Sequence, residues 1–230
     1  MDYSYRKDYL NCEEESETIT NQCTCNFALE IVGLCDTSSV RFSPSSSQKF
    51  RTDYNWTEIS IPEILTIPDK KPDIEHIDKV LISAVVSCTR LVETPLNLEV
   101  DTSTTPNVFA LDSQGFPIPI PNAEGTYLTG RKLIVEGYLK QKIVYTADVS
   151  VQSVHSAHFE MPFSAFIILY PKFINANGGV VPVNNAIVDT NQDFCVETCI
   201  EDVFAKELDE RTIFKNVTLF LRAKPSMPCY

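Results

Sequence analysis

Long hydrophobic runs are missing from this sequence. The longest, Ala165 to Tyr170 (AFIILY), is far below the ~18 residues that a membrane-spanning helix needs. The first residues, MDYSYRKDYLNCEEESE, lack an apolar core and a small-residue cleavage pattern, so no secretory signal is read there and synthesis in a cytosol is expected. Histidine is scarce, with 3 in 230 residues, and no G-x-S-x-G, Walker loop or G-x-G-x-x-G occurs. That leaves little material for nucleophilic or general-base catalysis, and no enzyme is expected. Basic charge is also short: 19 Lys and Arg against 31 Asp and Glu give a formal net charge of -12. Such a surface repels phosphate backbones and anionic membranes, so nucleic acid is not an expected partner. C-x-x-C is absent too, which excludes a thioredoxin-like redox pair.

What the chain does have is cysteine, 8 in all. A chain of this length buries a normal core without covalent staples, so the cysteines ask for another role. Cys12, Cys23, Cys25, Cys195, Cys199 and Cys229 lie in the terminal regions or in QDFCVETCIEDV, whereas Cys35 and Cys88 sit near the middle of apolar runs. Cys88 shares a strand face with Val86 and Val92 in KVLISAVVSCTRLV, and is expected to be a buried free thiol that behaves as a small hydrophobe.

Strand signals dominate. KVLISAVVSCTRLV (79–92) is β-branched, KLIVEGYLKQKIVY (132–145) alternates, and TIFKNVTLFLRAK (212–224) sets Ile213, Val217, Leu219 and Leu221 on one face. DSQGFP (112–117), NAEG (122–125) and NANGG (175–179) supply turn residues, and 14 prolines suit edges and loops rather than long helices. Only EDVFAKELDERT (201–212) reads equally as helix or as strand and turn. The fold class expected is all-β: an antiparallel, jelly-roll-like β-sandwich with an extended N-terminal arm. Four segments follow: an acidic Cys-bearing arm (1–26), a short strand and Ser-rich linker (27–54), the sandwich (55–224) and a Cys-bearing tail (225–230).

Metal readings fail on spacing. C-x-C with C-x3-C is not a zinc-knuckle pattern, and on a strand Cys195 and Cys199 stand about 13 Å apart, too far for one ion or for a disulfide with each other. DTNQDF places Asp189, Asn191 and Asp193 as in the first half of a calcium loop, but Phe194 replaces the required glycine and Ile200 the bidentate glutamate. His155 and His158, three apart on a strand, fall on opposite faces. No metal or cofactor is expected.

EISIPEILTIPDKKPDIEHIDKVLISAVVSCTRLVETP (58–95), LTGRKLIVEGYLKQKIVYTADVSVQSVHSAHFEMPFSAFIIL (128–169) and EDVFAKELDERTIFKNVTLFLRA (201–223) together resemble the SPOCS domain family of spore-forming clostridia and bacilli. The resemblance implies a β-rich, protein-binding domain of spore morphogenesis or the spore surface, with no catalytic signature. Two features depart from the family: the Cys-bearing arm, and an insertion at about 97–127 between strands expected to be neighbours. The peptidoglycan-binding module usual in adaptor members is not found after the domain either.

The implied compartment gives the cysteines a use. A spore-surface protein made in a reducing mother cell meets an oxidising exterior on lysis, when exposed thiols can lock a preformed assembly. The expectation is therefore a self-assembling subunit of exosporium, outer coat or a spore appendage. Its partners are copies of itself and other coat or exosporium proteins, linked through Cys12, Cys23, Cys25, Cys195, Cys199 or Cys229. The alternative is an adaptor that docks coat proteins without polymerising. NFALEIVGL either completes a neighbour's sheet or forms the first strand of its own, and the sequence leaves both open.

Overall fold

The computed structural model describes residues 29–39 and 55–225, together with the backbone of Tyr5–Arg6. In chain order the strands are β1 (Tyr5–Arg6), β2 (Glu30–Val32), β3 (Trp56–Thr66), β4 (Ile74–Leu96), β5 (Val100–Asp101), β6 (Val108–Phe109), β7 (Thr129–Ala147), β8 (Val154–Ile168), β9 (Phe194–Glu207) and β10 (Thr212–Pro225). Helical structure among the described residues is confined to two 3-10 turns, Thr37–Ser39 and Val183–Asn185.

The strands form because their apolar residues recur every second position, which places them on one face of a pleated chain. In β10, Ile213, Val217, Leu219 and Leu221 are all buried. In β7 the buried set runs Leu133, Val135, Leu139, Ile143, Tyr145 and Ala147. Two sheets result, one of five strands in the order β1-β2-β4-β7-β8 and one of three in the order β3-β10-β9. The sheets face each other as an all-β sandwich, with β4 against β9 and β3 against β8. All pairings in the two sheets are antiparallel except one: β2 lies parallel to β4, with Glu30 beside Lys79 and Val32 beside Leu81. Residues of both sheets meet in a single large hydrophobic cluster. Each fully buried Leu, Ile or Val there stabilises the fold by about 1.5–3 kcal/mol before entropy is subtracted.

β4 and β7 are neighbours, as expected, and the segment between them packs with residues 173–188. There Leu98, Phe109, Phe173, Val181 and Val188 build a second small core, with the rings of Phe109 and Phe173 stacked at 5.4 Å. The turns work as their residues suggest. The Asp112 carboxylate accepts from the backbone N–H groups of Gln114 and Phe116, the Asn122 side chain accepts from those of Glu124 and Thr126, and Gly115 and Gly125 have positive φ.

EDVFAKELDERT is not helical. Residues 201–207 complete β9, and a turn leads into β10 from Thr212. Leu29 and Ile31 pack into the core of their own domain, so the apolar segment after the arm serves here as a strand of its own sheet.

Candidate interface at the sheet edges

A two-sheet sandwich has two seams, each flanked by the edge strands of the facing sheets. Here one seam lies between β3 and β8 and the other between β4 and β9. The first carries proline on both edges, Pro62 in β3 and Pro162 in β8. Proline has no N–H to offer an incoming strand, so both edges are poor templates for further pairing.

On the β3 side a polar group also ties the sheets together. Glu63 of β3 and Lys215 of β10 are cross-strand partners pointing inward, and their Oε1···Nζ distance is 2.6 Å with both side chains fully buried. Gln141 of β7, in the facing sheet, donates its amide to both Glu63 oxygens at 3.0 and 2.9 Å. Burial pushes the Lys215 ammonium's pKa down, and its bond to Glu63 pulls it back up. Such a group does more for the register of the two sheets than for net stability, because desolvation of its charges offsets most of their attraction. Sequence reading passed over it, although strict alternation between Ile213 and Val217 places Lys215 inward.

The β4/β9 seam is built differently. After β2 the chain crosses to β9, where the Cys35 backbone N–H donates to the Ile200 carbonyl at 3.0 Å. Cys35 is disulfide-bonded to Cys199, with Cα atoms 5.3 Å apart. This corrects one expectation. Cys199 does not serve as a link between chains; it is 2% exposed and paired inside its own chain, because Cys35 is brought alongside by residues 164 positions away. No spacing rule shows that partnership.

Cys88 is a second correction. It is free, but exposed rather than buried. The register of β4 against β7 slips between Val86 and Cys88, opposite Gly137 and Glu136. One extra residue in a strand inverts the facing of everything after it, so Val86 packs on the core while Cys88 points outward. Gly137 is what accommodates the bulge: a Cβ there would stand 2.3 Å from the Val85 carbonyl oxygen. Ser87, Cys88, Thr89 and Arg90 are all exposed in succession, so both faces of β4 are open at this level. Between Thr89, Leu91 and residues 190–194 the seam widens into a cleft of about 320 Å³.

Of the remaining thiols, Cys195 is free and exposed near the start of β9. Cys12, Cys23, Cys25 and Cys229 lie outside the described residues. Among the described residues no group of three or more His, Cys, Asp or Glu converges to hold a metal. The DTNQDF loop is occupied structurally. Asp189 bonds Lys172 at 2.7 Å and accepts from the Asn191 N–H at 3.0 Å, and the Lys172 bond is the leading cause holding its carboxyl below the usual range. The buried Arg131 guanidinium clasps the same loop, donating to the carbonyls of Asp189 at 2.9 Å and Tyr170 at 3.1 Å. His155 is engaged with Ser153 at 2.9 Å and stacks on Tyr145, while His158 is exposed on the opposite face.

Residues 121–206 match a family described as SipL, SPOCS domain. That stretch is similar to a SPOCS domain. The SPOCS match runs through β7, β8 and almost all of β9, and so contains an edge strand of each sheet, β8 and β9, and the strand beside β8. The matched family points to a sporulation-related role. No curated protein and no solved structure matches the chain.

Proposed function

We propose that this chain is a structural, self-assembling subunit of the endospore surface, held between copies by disulfides and without catalytic activity. The observation that carries this reading is the placement of the thiols. Cys88 and Cys195 are exposed and unpaired on strands that flank one open seam, and further cysteines flank the domain in both terminal segments. Exposed thiols are accessible to oxidation and to exchange with other thiols. Synthesis in the reducing mother cell and oxidation after lysis would separate folding from cross-linking in time. Polymerisation needs two complementary surfaces on each copy, since contacts that do not close on themselves continue to grow. Negative-stain electron microscopy of the purified chain tests this directly: fibres or sheets are expected, and a uniform monomer or closed dimer under reducing and oxidising conditions alike would overturn it. A second reading, an adaptor that docks one coat protein onto another, is favoured by the match to the SipL, SPOCS domain, whose family points to a sporulation-related role. It predicts that the chain stays small until its partner is added.

A further inference from the structure

Resting on that self-assembly reading, we propose that the edge of β4 beyond Leu81 accepts an extended segment from the N-terminal arm of a second copy. One cysteine of that arm's Cys23–Cys25 pair is then disulfide-bonded to Cys88.

Four observations lead there. First, β2 covers only Lys79–Leu81 of β4, and among the described residues no strand pairs with the outer side of β4 after that point. The edges of β3 and β8 carry proline, and the edge of β9 is already engaged at Ile200 by Cys35; β4 has no proline between Ile82 and Thr94. Its backbone groups are thus the most available template for an added strand.

Second, the molecule already uses this device once. Cys35 lies alongside an edge strand, donates its N–H to that strand, and is bonded to a cysteine on it with Cα atoms 5.3 Å apart. Neighbouring strands bring paired Cα atoms to about 4.5–5.5 Å, inside the span a disulfide accepts. A strand added at Cys88 would meet the same condition.

Third, Cys23 and Cys25 are two residues apart, so in an extended segment both side chains face the same way. With the segment paired on β4 in one facing, both lie on the outer surface beside Cys88.

Fourth, a chain's own Cys25 cannot make this bond. β2 begins beside Lys79, and Leu29 and Ile31 share the core face, so the extended course continues to Leu29, away from Cys88. Measured along β7, whose Val144 and Glu136 pair with Lys79 and Cys88, the separation of Leu29 and Cys88 is roughly 28 Å at about 3.3 Å per residue. Four residues at full stretch span about 14 Å, and a disulfide adds no more than about 7 Å. Cys23 would reach only if drawn taut. The bond therefore joins two copies, and because each copy has one arm and one β4 edge, it passes from copy to copy unless two copies exchange arms reciprocally, which would stop at a dimer.

The chemistry is thiol–disulfide exchange. A low-molecular-weight disulfide is attacked by the Cys25 thiolate and releases one thiol. The Cys88 thiolate then attacks the Cys25 sulfur of the mixed disulfide and releases the second. Two protein thiols lose two electrons and two protons, and one small disulfide is reduced to two thiols.

The test uses the full chain, purified reduced and then exposed to oxidised glutathione, with an equal mixture of unlabelled and ¹⁵N-labelled copies. A ladder of multimers is expected on a non-reducing gel. Peptide mapping should join the Cys23–Cys25 peptide to the Cys88 peptide, with about half of the links isotopically mixed. Cys88→Ser and the double variant Cys23→Ser/Cys25→Ser should each reduce the ladder at least tenfold, while Cys195→Ser should leave it. Since Cys88 is exposed, its variant should keep the Cys35–Cys199 bond, which the same map reports. Multimers that persist in Cys88→Ser, links through Cys195, Cys12 or Cys229 alone, or a Cys25–Cys88 link confined to the monomer band would overturn the inference and leave self-assembly standing. Assemblies seen by electron microscopy without any cross-link would do the same. Neither cross-links nor assemblies would remove the self-assembly reading itself.

Discussion

The two seams of the sandwich enclose the same core but are closed by opposite means. The β3/β8 seam is closed by noncovalent chemistry: prolines on both edges, and beside them the buried Glu63–Lys215–Gln141 group. The β4/β9 seam is closed by a covalent clip, Cys35–Cys199, and beyond the clip no strand among the described residues covers it, with free thiols at Cys88 and Cys195. One side is built to reject an added strand, and the other is left able to take one. The difference teaches that in this fold, edge protection is a choice made strand by strand rather than a property of the sandwich.

The comparison can be broken most sharply on the noncovalent side. Lys215→Ala leaves Glu63 as a buried, unpaired carboxylate and should lower stability by about 3–5 kcal/mol, read from urea unfolding. Replacing the group together, as Glu63→Leu, Lys215→Met and Gln141→Leu, should recover most of that loss, because neither charge is then left alone. If the triple variant is as unstable as the single one, the group contributes more than register.

On the covalent side, Cys35→Ser should cost about 2–4 kcal/mol under oxidising conditions, and reductant should remove the difference between variant and wild type. A wild type indifferent to reductant would mean that the clip does not hold the seam. Next in size is the bulge. Gly137→Ala pushes a methyl group against the Val85 carbonyl and should destabilise by about 1–3 kcal/mol. It should also change the rate at which Cys88 reacts with a thiol reagent, since the bulge is what turns that side chain outward.

The smallest effect expected is in acid. Asp189, bonded first to Lys172, and Glu197, bonded first to Lys224 and then to Arg222, both have pKa values lowered by folding. A lowered carboxyl pKa contributes stability that is present above the unfolded value, about 4, and is lost as pH falls through the folded value. The thermal midpoint should therefore decline below about pH 4, and less steeply in Asp189→Asn, where part of the titration is gone. A midpoint that rises on acidification would reverse the assignment.

Much of the fold is legible in the residues themselves. Period-two alternation is a local signal, and it marks β7 and β10 along almost their whole length; Asp112 and Asn122 mark their own turns; the stretch 121–206, with VHSAHFEMPFSAF inside it, carries the family match. The candidate interface was legible only in part. The abundance of cysteine and its concentration near the termini gave the idea of cross-linking, but not which thiol is available. Alternation counted through VVSCTRLV places Cys88 in the core, and one inserted residue, detectable only against Gly137 on the partner strand, reverses that. Alternation places Lys215 inward, but its partner is not visible until Glu63 is set opposite it, and Cys35 has no visible partner until the chain returns 164 residues later. The sequence by itself determined which segments are strands and where they turn, because those depend on each residue's neighbours along the chain. Facing after a bulge, the pairing of buried charges and the choice of disulfide partner were decided only by the tertiary structure, because each is fixed by what a strand meets across the sheet or across the sandwich.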